Sequence, residues 1–292
     1  MLGIKPFFVL LVSVLTVLFA PIVLPRPALA ADKLLFCNNP EKITVPGTHA
    51  DTMLRAGQTY TIFFHYNNTT RTRGNLVLAL SGDANKTLKF SARKGFANAH
   101  RDPTIAGRQA MARFLSAPTK PYTGKKGGAH FAMNVGARQT ASGVVTVTAK
   151  SDVRLRIYWR HNKWTVPGAR VVAIDSPRRE VDVLLSKGAI NRHRIGVPEA
   201  GMSKHLDGTY GMMYSFKVDA PMGSRVRVSF SPRGGQAGMV GSVNGALHQT
   251  GIIPATRWKV FCEAVVGANG LTLTTSPFGG VFYPVELVFK II

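Results

Sequence analysis

The sequence predicts an all-β protein, one or two antiparallel β-sandwich domains with one short helix inserted in the first. Three observations carry that prediction. In Arg154–Trp164, Leu155, Ile157 and Trp159 alternate with Arg154, Arg156, Tyr158 and Arg160. This is the period-two pattern of a strand with one buried face. Arg225 to Phe230 repeats it, with Val226, Val228 and Phe230 inward and Arg225 and Arg227 outward. Second, short runs rich in β-branched and aromatic residues recur from Thr59–Tyr66 to Val281–Ile291, separated by turn-forming segments such as Asn67-Asn68 and Ser231-Pro232-Arg233-Gly234-Gly235. Third, 45% hydrophobic against 17% charged residues is the balance of a folded chain.

Taken in order, residues 1–30 read as a secretory signal. Lys5 supplies the positive start, Phe7 to Leu24 is apolar, and Ala28-Leu29-Ala30 is a small-x-small cleavage site. A retained anchor is the competing reading, because that apolar run is just long enough to span a bilayer. A first β-sandwich domain is placed at 31–175, with a helix near 103–115. Asp102 serves as its N-cap, Pro103 takes the first turn, and Ile105, Met111, Phe114 and Leu115 fall at helical spacing. Pro118 to Gly128, with Lys125-Lys126 and three glycines, reads as a mobile basic loop. A second β-sandwich domain is placed at 176–292, with the boundary at Ser176-Pro177.

The formal charge is +23, and it is uneven: 22 basic against 6 acidic residues lie in 31–170, and 13 against 8 in 171–292. A field of that sign favours anionic partners, here cell-wall or extracellular polymer or an envelope surface, with no specific nucleic acid indicated. A basic surface kept for solubility alone is the alternative. Arg154, Arg156, Tyr158, Arg160, Arg225 and Arg227 are the candidate polyanion-binding residues, since outward arginines with an interleaved aromatic ring can track a charged polymer. A solvated sheet face is the plainer account of the same pattern. Cys37 and Cys262 are the only cysteines, and in an exported chain a lone pair favours a disulfide over two buried thiols.

No catalytic machinery is expected. No Gly-x-Ser-x-Gly elbow or His-Glu-x-x-His is present, and the scattered acids offer no pair for glycoside cleavage. Glu180 and Asp182 share a strand face but read as charge partners. His49-Ala50-Asp51 and His205-Leu206-Asp207, the latter near Met202, Met212, Met213 and Met222, lack a third ligand. No metal or cofactor is therefore called for.

The order of several motifs resembles a known group. These are His65-Tyr66-Asn67, Gly107 to Leu115, Tyr210-Gly211-Met212-Met213-Tyr214, Phe230 to Gly235, Val243-Asn244-Gly245 and Tyr283-Pro284-Val285-Glu286-Leu287. Together they resemble secreted bacterial β proteins of uncharacterised function, some carrying an additional copper-amine-oxidase-type N-terminal domain. The resemblance implies an exported β protein of the cell envelope and brings no catalytic residues with it. The expected function is thus a secreted or envelope, non-catalytic binder of anionic polymer. The alternatives are a glycan-active enzyme with an unrecognised site and a structural surface protein working through protein contacts. N-terminal sequencing of the exported protein should give a chain beginning at Ala31; a chain still beginning near Met1 would establish the anchor instead.

Overall fold

The computed structural model describes residues 32–175, 178–197 and 208–292. The expected signal segment and the expected boundary at Ser176-Pro177 lie outside the described residues. The chain is all-β with one helix. Strands β1 (Lys33–Asn39), β2 (Lys42–Ile43), β3 (Gly47–Leu54), β4 (Thr59–Asn68), β5 (Gly74–Ser81) and β6 (Thr87–Phe96) precede helix α1 (Pro103–Ser116). Strands β7 (Lys120–Lys126), β8 (Gly128–Val135), β9 (Thr140–Ala149), β10 (Val153–Trp159) and β11 (Arg170–Asp175) follow it. These form one 11-stranded sheet in the order β11-β1-β4-β9-β6-β7-β8-β5-β10-β3, with β2 beside β4. The sheet is wrapped into a nearly closed, barrel-like layer.

The remaining strands are β12 (Arg178–Leu184), β13 (Ile190–Ile195), β14 (Met213–Asp219), β15 (Arg225–Pro232), β16 (Val240–Val243), β17 (Ala246–Gln249), β18 (Lys259–Val265), β19 (Leu271–Thr275) and β20 (Val285–Ile291). They make a five-stranded sheet, β12-β14-β19-β16-β17, and a four-stranded sheet, β13-β20-β15-β18. The expectation of purely antiparallel sheets needs correction. β1 and β2 run parallel to β4, and β12 runs parallel to β14. Parallel neighbours need a crossover. Here β3 and β13 provide it, because β3 pairs with β10 and β13 with β20 rather than with the strands on either side in sequence.

Two large cores result. One fills the first sheet with residues such as Leu35, Ile62, Tyr66, Leu78, Leu155 and Trp159. The other lies within the C-terminal sheets and continues onto the outside of the first sheet, joining Phe216, Phe230 and Phe289 to Leu34, Phe63 and Val144. β4 serves both, which is why its sequence is apolar on both faces: Ile62 and Phe64 point into the first core and Phe63 into the second.

Helix α1 sits in that second core. Asp102 caps it as the sequence indicates, accepting from Thr104 N (2.8 Å), and the helix runs one residue beyond the expected end. Met111, Phe114 and Leu115 are buried in the second core. The packing is backbone-close on two sides. A Cβ on Gly95 of β6 would lie 2.2 Å from Ala110 O, and one on Gly107 would lie 1.9 Å from Gly279 O. Arg93 closes the helix C-terminus, donating through Nε to Phe114 O (2.6 Å) and through Nη2 to Leu115 O. A cation there complements the helix dipole as well as filling orphan carbonyls. Arg108 Nη1 donates to Thr250 O (3.0 Å), tying the helix to the C-terminal sheets.

Alanine in place of a helical glycine ordinarily gains about 1 kcal/mol. At Gly107 the facing group is backbone and cannot turn aside, so overpacking of about 1–3 kcal/mol outweighs the gain. G107A should therefore lower the urea midpoint of unfolding; a raised midpoint would show that the segment at Gly279 yields freely.

Candidate functional site

Strand β10 places its side chains as the alternation indicates. Leu155, Ile157 and Trp159 are fully buried, Arg154 is exposed, and Arg156 and Tyr158 are half-buried on the outer face. The cross-strand register shows what that outer face faces. Arg154 lies opposite Ser81, Ser81 opposite Gly128, and Gly128 opposite Lys125. In the next row Arg156 lies opposite Ala79, and Ala79 opposite His130. Tyr158, Val77 and Ala132 form the third. Residues directly opposite in an antiparallel pair share a face. The result is a shallow trough. Arg154, Arg156 and Tyr158 flank it on one side and Lys125 and His130 on the other; Ser81 and Gly128 are half-buried between them, while Ala79 (2% exposed) and Val77 (9%) lie covered beneath.

At the hairpin end of the trough a groove of about 650 Å³ is lined by Lys125, Lys126, His130 and the backbone of Gly124, Gly127 and Gly128. The expected mobile loop over Pro118–Gly128 is thus corrected to strand β7 and a tight hairpin. Tyr122 anchors it, stacking on Phe90 at 5.3 Å with Lys94 Nζ 4.6 Å above its ring. Lys125 and His130 were not singled out for binding from sequence. Lys125-Lys126 was a visible charge signal, but only the register through β5 and β8 brings it beside β10.

The six candidate residues do not act as one surface. Arg154 makes a bidentate pair with Asp51, Nε to Oδ1 at 2.7 Å and Nη2 to Oδ2 at 2.6 Å, so its charge is largely matched. Among the described residues Arg156 makes no ion pair, although the register sets Asp51 directly across from it on β3, and its Nε makes no hydrogen bond. Arg160 leaves the strip. Its φ of 66° ends the strand, and its Nη2 donates to Arg73 O (2.8 Å) and to Thr72 Oγ1. Arg225 and Arg227 lie on the separate four-stranded sheet and share Glu263 at 3.1 and 2.6 Å. On the same sheet Glu286 takes up Arg192 and Arg233 at 2.9 and 2.6 Å.

Among the described residues the grooves and strand faces hold acids in two arrangements. Glu180 pairs with Lys217 at 2.6 Å, as its strand position suggests. Asp182 and Asp219 line one groove of about 710 Å³. Both are solvent-exposed, without the buried, apolar setting that makes a carboxylic acid a proton donor. A bulge in β3 leaves His49 without a cross-strand partner, and its ring packs 5.4 Å from Tyr66 while Asp51 faces Arg154. His205-Leu206-Asp207 and Met202 lie outside the described residues. Among the described residues no three His, Cys, Asp or Glu side chains converge as a metal site.

No protein-family model matches the chain, and no curated protein is found to be similar to it.

The expected Cys37–Cys262 disulfide is not formed. Cys37 is sealed in the first core, its Sγ donating to Leu35 O, and Cys262 is sealed in the second. A bridge needs Cα atoms within about 7 Å, and the two thiols belong to different cores. Burial raises both thiols, that of Cys262 to about 12, which withholds the reactive thiolate at neutral pH. Both cysteines should therefore resist alkylation in the native protein and label fully in denaturant without reductant. A linked peptide in a non-reducing map would contradict this.

Proposed function

We propose that this is an exported, non-catalytic envelope protein that binds anionic polymer in the trough on the first sheet. The single observation that carries the reading is the register that sets Lys125, Arg156 and His130 on one sheet face. Asp51, the acid on that face, is already taken by Arg154. A row of basic side chains along one sheet face suits a chain of repeating anions, whose attraction is mainly counterion release and charge contact. The charge of +23 supports the same reading, as does the resemblance to secreted bacterial β proteins. In this reading the two sheet systems are two sandwich-like units fused through α1. Among the described residues no helix is long and apolar enough to cross a membrane.

The arginines of β15 drop out of the binding surface, because Glu263 serves both. Binding of a teichoic-acid-type polymer should fall steeply between low and physiological salt. The triple variant K125Q/K126Q/R156Q should bind more weakly and with a flatter salt dependence, whereas R225Q/R227Q should match the parent. These are surface changes, so each should move stability by no more than about 0.5 kcal/mol. Equal affinity and equal salt slope in the triple variant and the parent would reduce the trough to a solvated sheet face.

A further inference from the structure

A second cavity system lies where the C-terminal chain closes over β4. The outer face of β4 carries Phe63, His65 and Asn67. Tyr210 and residues 279–282 cover them, and Asn38 and Glu41 stand at the side. One cavity of about 290 Å³ is lined by these groups, and an adjoining one of about 320 Å³ shares Asn38, Glu41 and Tyr210 with it. Each is at the lower end of the ~300–1,000 Å³ usual for ligand pockets.

The walls hold polar groups that the protein does not itself satisfy. His65 is 1% exposed, and neither ring nitrogen has a hydrogen-bond partner. Asn38 Oδ1 is likewise buried and unpaired. Buried donors and acceptors are paired in folded proteins with few exceptions, so a cluster of them on a cavity wall calls for an explanation. The backbone at Gly279 packs onto the imidazole so closely that a Cβ there would lie 2.4 Å from Nδ1, which holds the ring in place. The aromatic side is equally fixed. Phe36, Phe63 and Tyr210 stack, with Phe36–Phe63 at 5.4 Å and Phe63–Tyr210 at 5.9 Å, and Tyr210 OH donates to Val281 O (2.6 Å). On the rim Phe282 leaves its ring 55% exposed.

The charge in the cleft is muted. Burial lowers His65 to about 4, so its imidazole is neutral at neutral pH, with one donor and one acceptor. Partial desolvation raises the Glu41 carboxyl, although solvent still reaches it and Lys42 opposes the rise. With its amide turned to suit both groups, Asn39 Oδ1 accepts from Arg170 Nε and Nη2 (3.0 Å), occupying that guanidinium. The inner wall then offers two carboxamides and a neutral imidazole beside an exposed aromatic ring, with the Glu41 carboxylate at the solvent-exposed side. That set complements an uncharged ligand carrying both hydroxyl donors and acceptors on one side and an apolar C–H face on the other.

We propose that this cleft binds a neutral pyranose unit, with its ring face on Phe282 and its hydroxyls toward His65, Asn38 and Asn67. The site is separate from the basic trough and stands whether or not the trough binds polymer.

The test is saturation-transfer NMR of the full exported protein with cellotetraose and chitotetraose, followed by affinity titration. At least one probe should bind, with an affinity unchanged between low and physiological salt. F282A removes a surface ring and N67A a wall amide; each should weaken binding roughly tenfold. K125Q/K126Q/R156Q should bind the sugars as the parent does, so loss of polymer binding and loss of sugar binding are read separately. F282A, at an exposed position, keeps the test open should N67A fail to fold. Saturation transfer to neither probe would overturn the inference, and so would F282A and folded N67A binding as tightly as the parent.

Discussion

The constraint on which the molecule depends is the close approach of helix α1 to main chain on both sides. Gly95 lets β6 meet the helix at Ala110 and Phe114, and Gly107 lets the helix meet Gly279. A side chain at either place would separate elements whose apolar contacts fall off within fractions of an ångström. The helix carries Met111, Phe114 and Leu115 into the core of the C-terminal sheets, so the two sheet systems share one buried layer. Arg93 adds the polar half of the arrangement by filling the last carbonyls of the helix from β6. Without it, Leu115 O would lose its partner, while Phe114 O would keep the Ala117 N–H.

β4 is the other shared element, and its two faces explain both the fold and the position of the cleft. Its inward residues Tyr60, Ile62, Phe64 and Tyr66 pack in the first core. Its outward residues form the seam, where Phe63 is sealed by packing but His65 and Asn67 reach the cavity. A strand buried on both sides has no solvated face on which to place polar groups. Those it carries at its end are therefore either errors of packing or elements of a site, and the locked imidazole of His65 is ordered too tightly to be slack. Segment 279–282 serves twice: Gly279 and Gly280 hold the helix start and His65, while Phe282 rims the opening.

Much of this was legible in the sequence where one face of a strand is wet and the other dry. β10 (Val153–Trp159) covers the alternating part of Arg154–Trp164 and buries the three residues that the alternation selects. Asp102 and Pro103 marked the helix start for equally local reasons. β3, β7 and β8 escaped notice. β3 carries His49 and Asp51 with a bulge that breaks its period, β7 holds three lysines, a proline and a glycine, and β8 opens on Gly128-Ala129 and holds Asn134, residues depleted in strands. Their strand character comes from pairing, which is tertiary information. The cysteines show the same limit: compartment argues for a bridge, whereas the fold sets the two thiols, unbonded in this structure, in different cores. The trough and the cleft were equally hidden, since each assembles residues through register or crossover rather than through spacing.

The distribution of acids decides which basic face remains available to a partner. On the four-stranded sheet, Glu263 and Glu286 stand between pairs of arginines, and Trp258 lies 5.8 and 5.2 Å from the Arg192 and Arg233 guanidinium groups. Those arginines are spent internally, organising a flat surface. On the trough side Asp51 pairs with Arg154 and Asp83 with Lys86, and among the described residues Arg156, Lys125 and Lys126 make no ion pair. In the proposed reading a polyanion would displace small counterions from the trough, but would have to compete with protein carboxylates on the four-stranded sheet. Attraction of that kind acts at the distance of a Debye length and fades with salt. The cleft works by contact, with its wall groups largely desolvated and held in place before any ligand arrives. If both proposals hold, charge would gather a polymer onto the first sheet without selecting among polymers, and discrimination between ligands would fall to groups that must be matched atom by atom, such as His65 and Asn38.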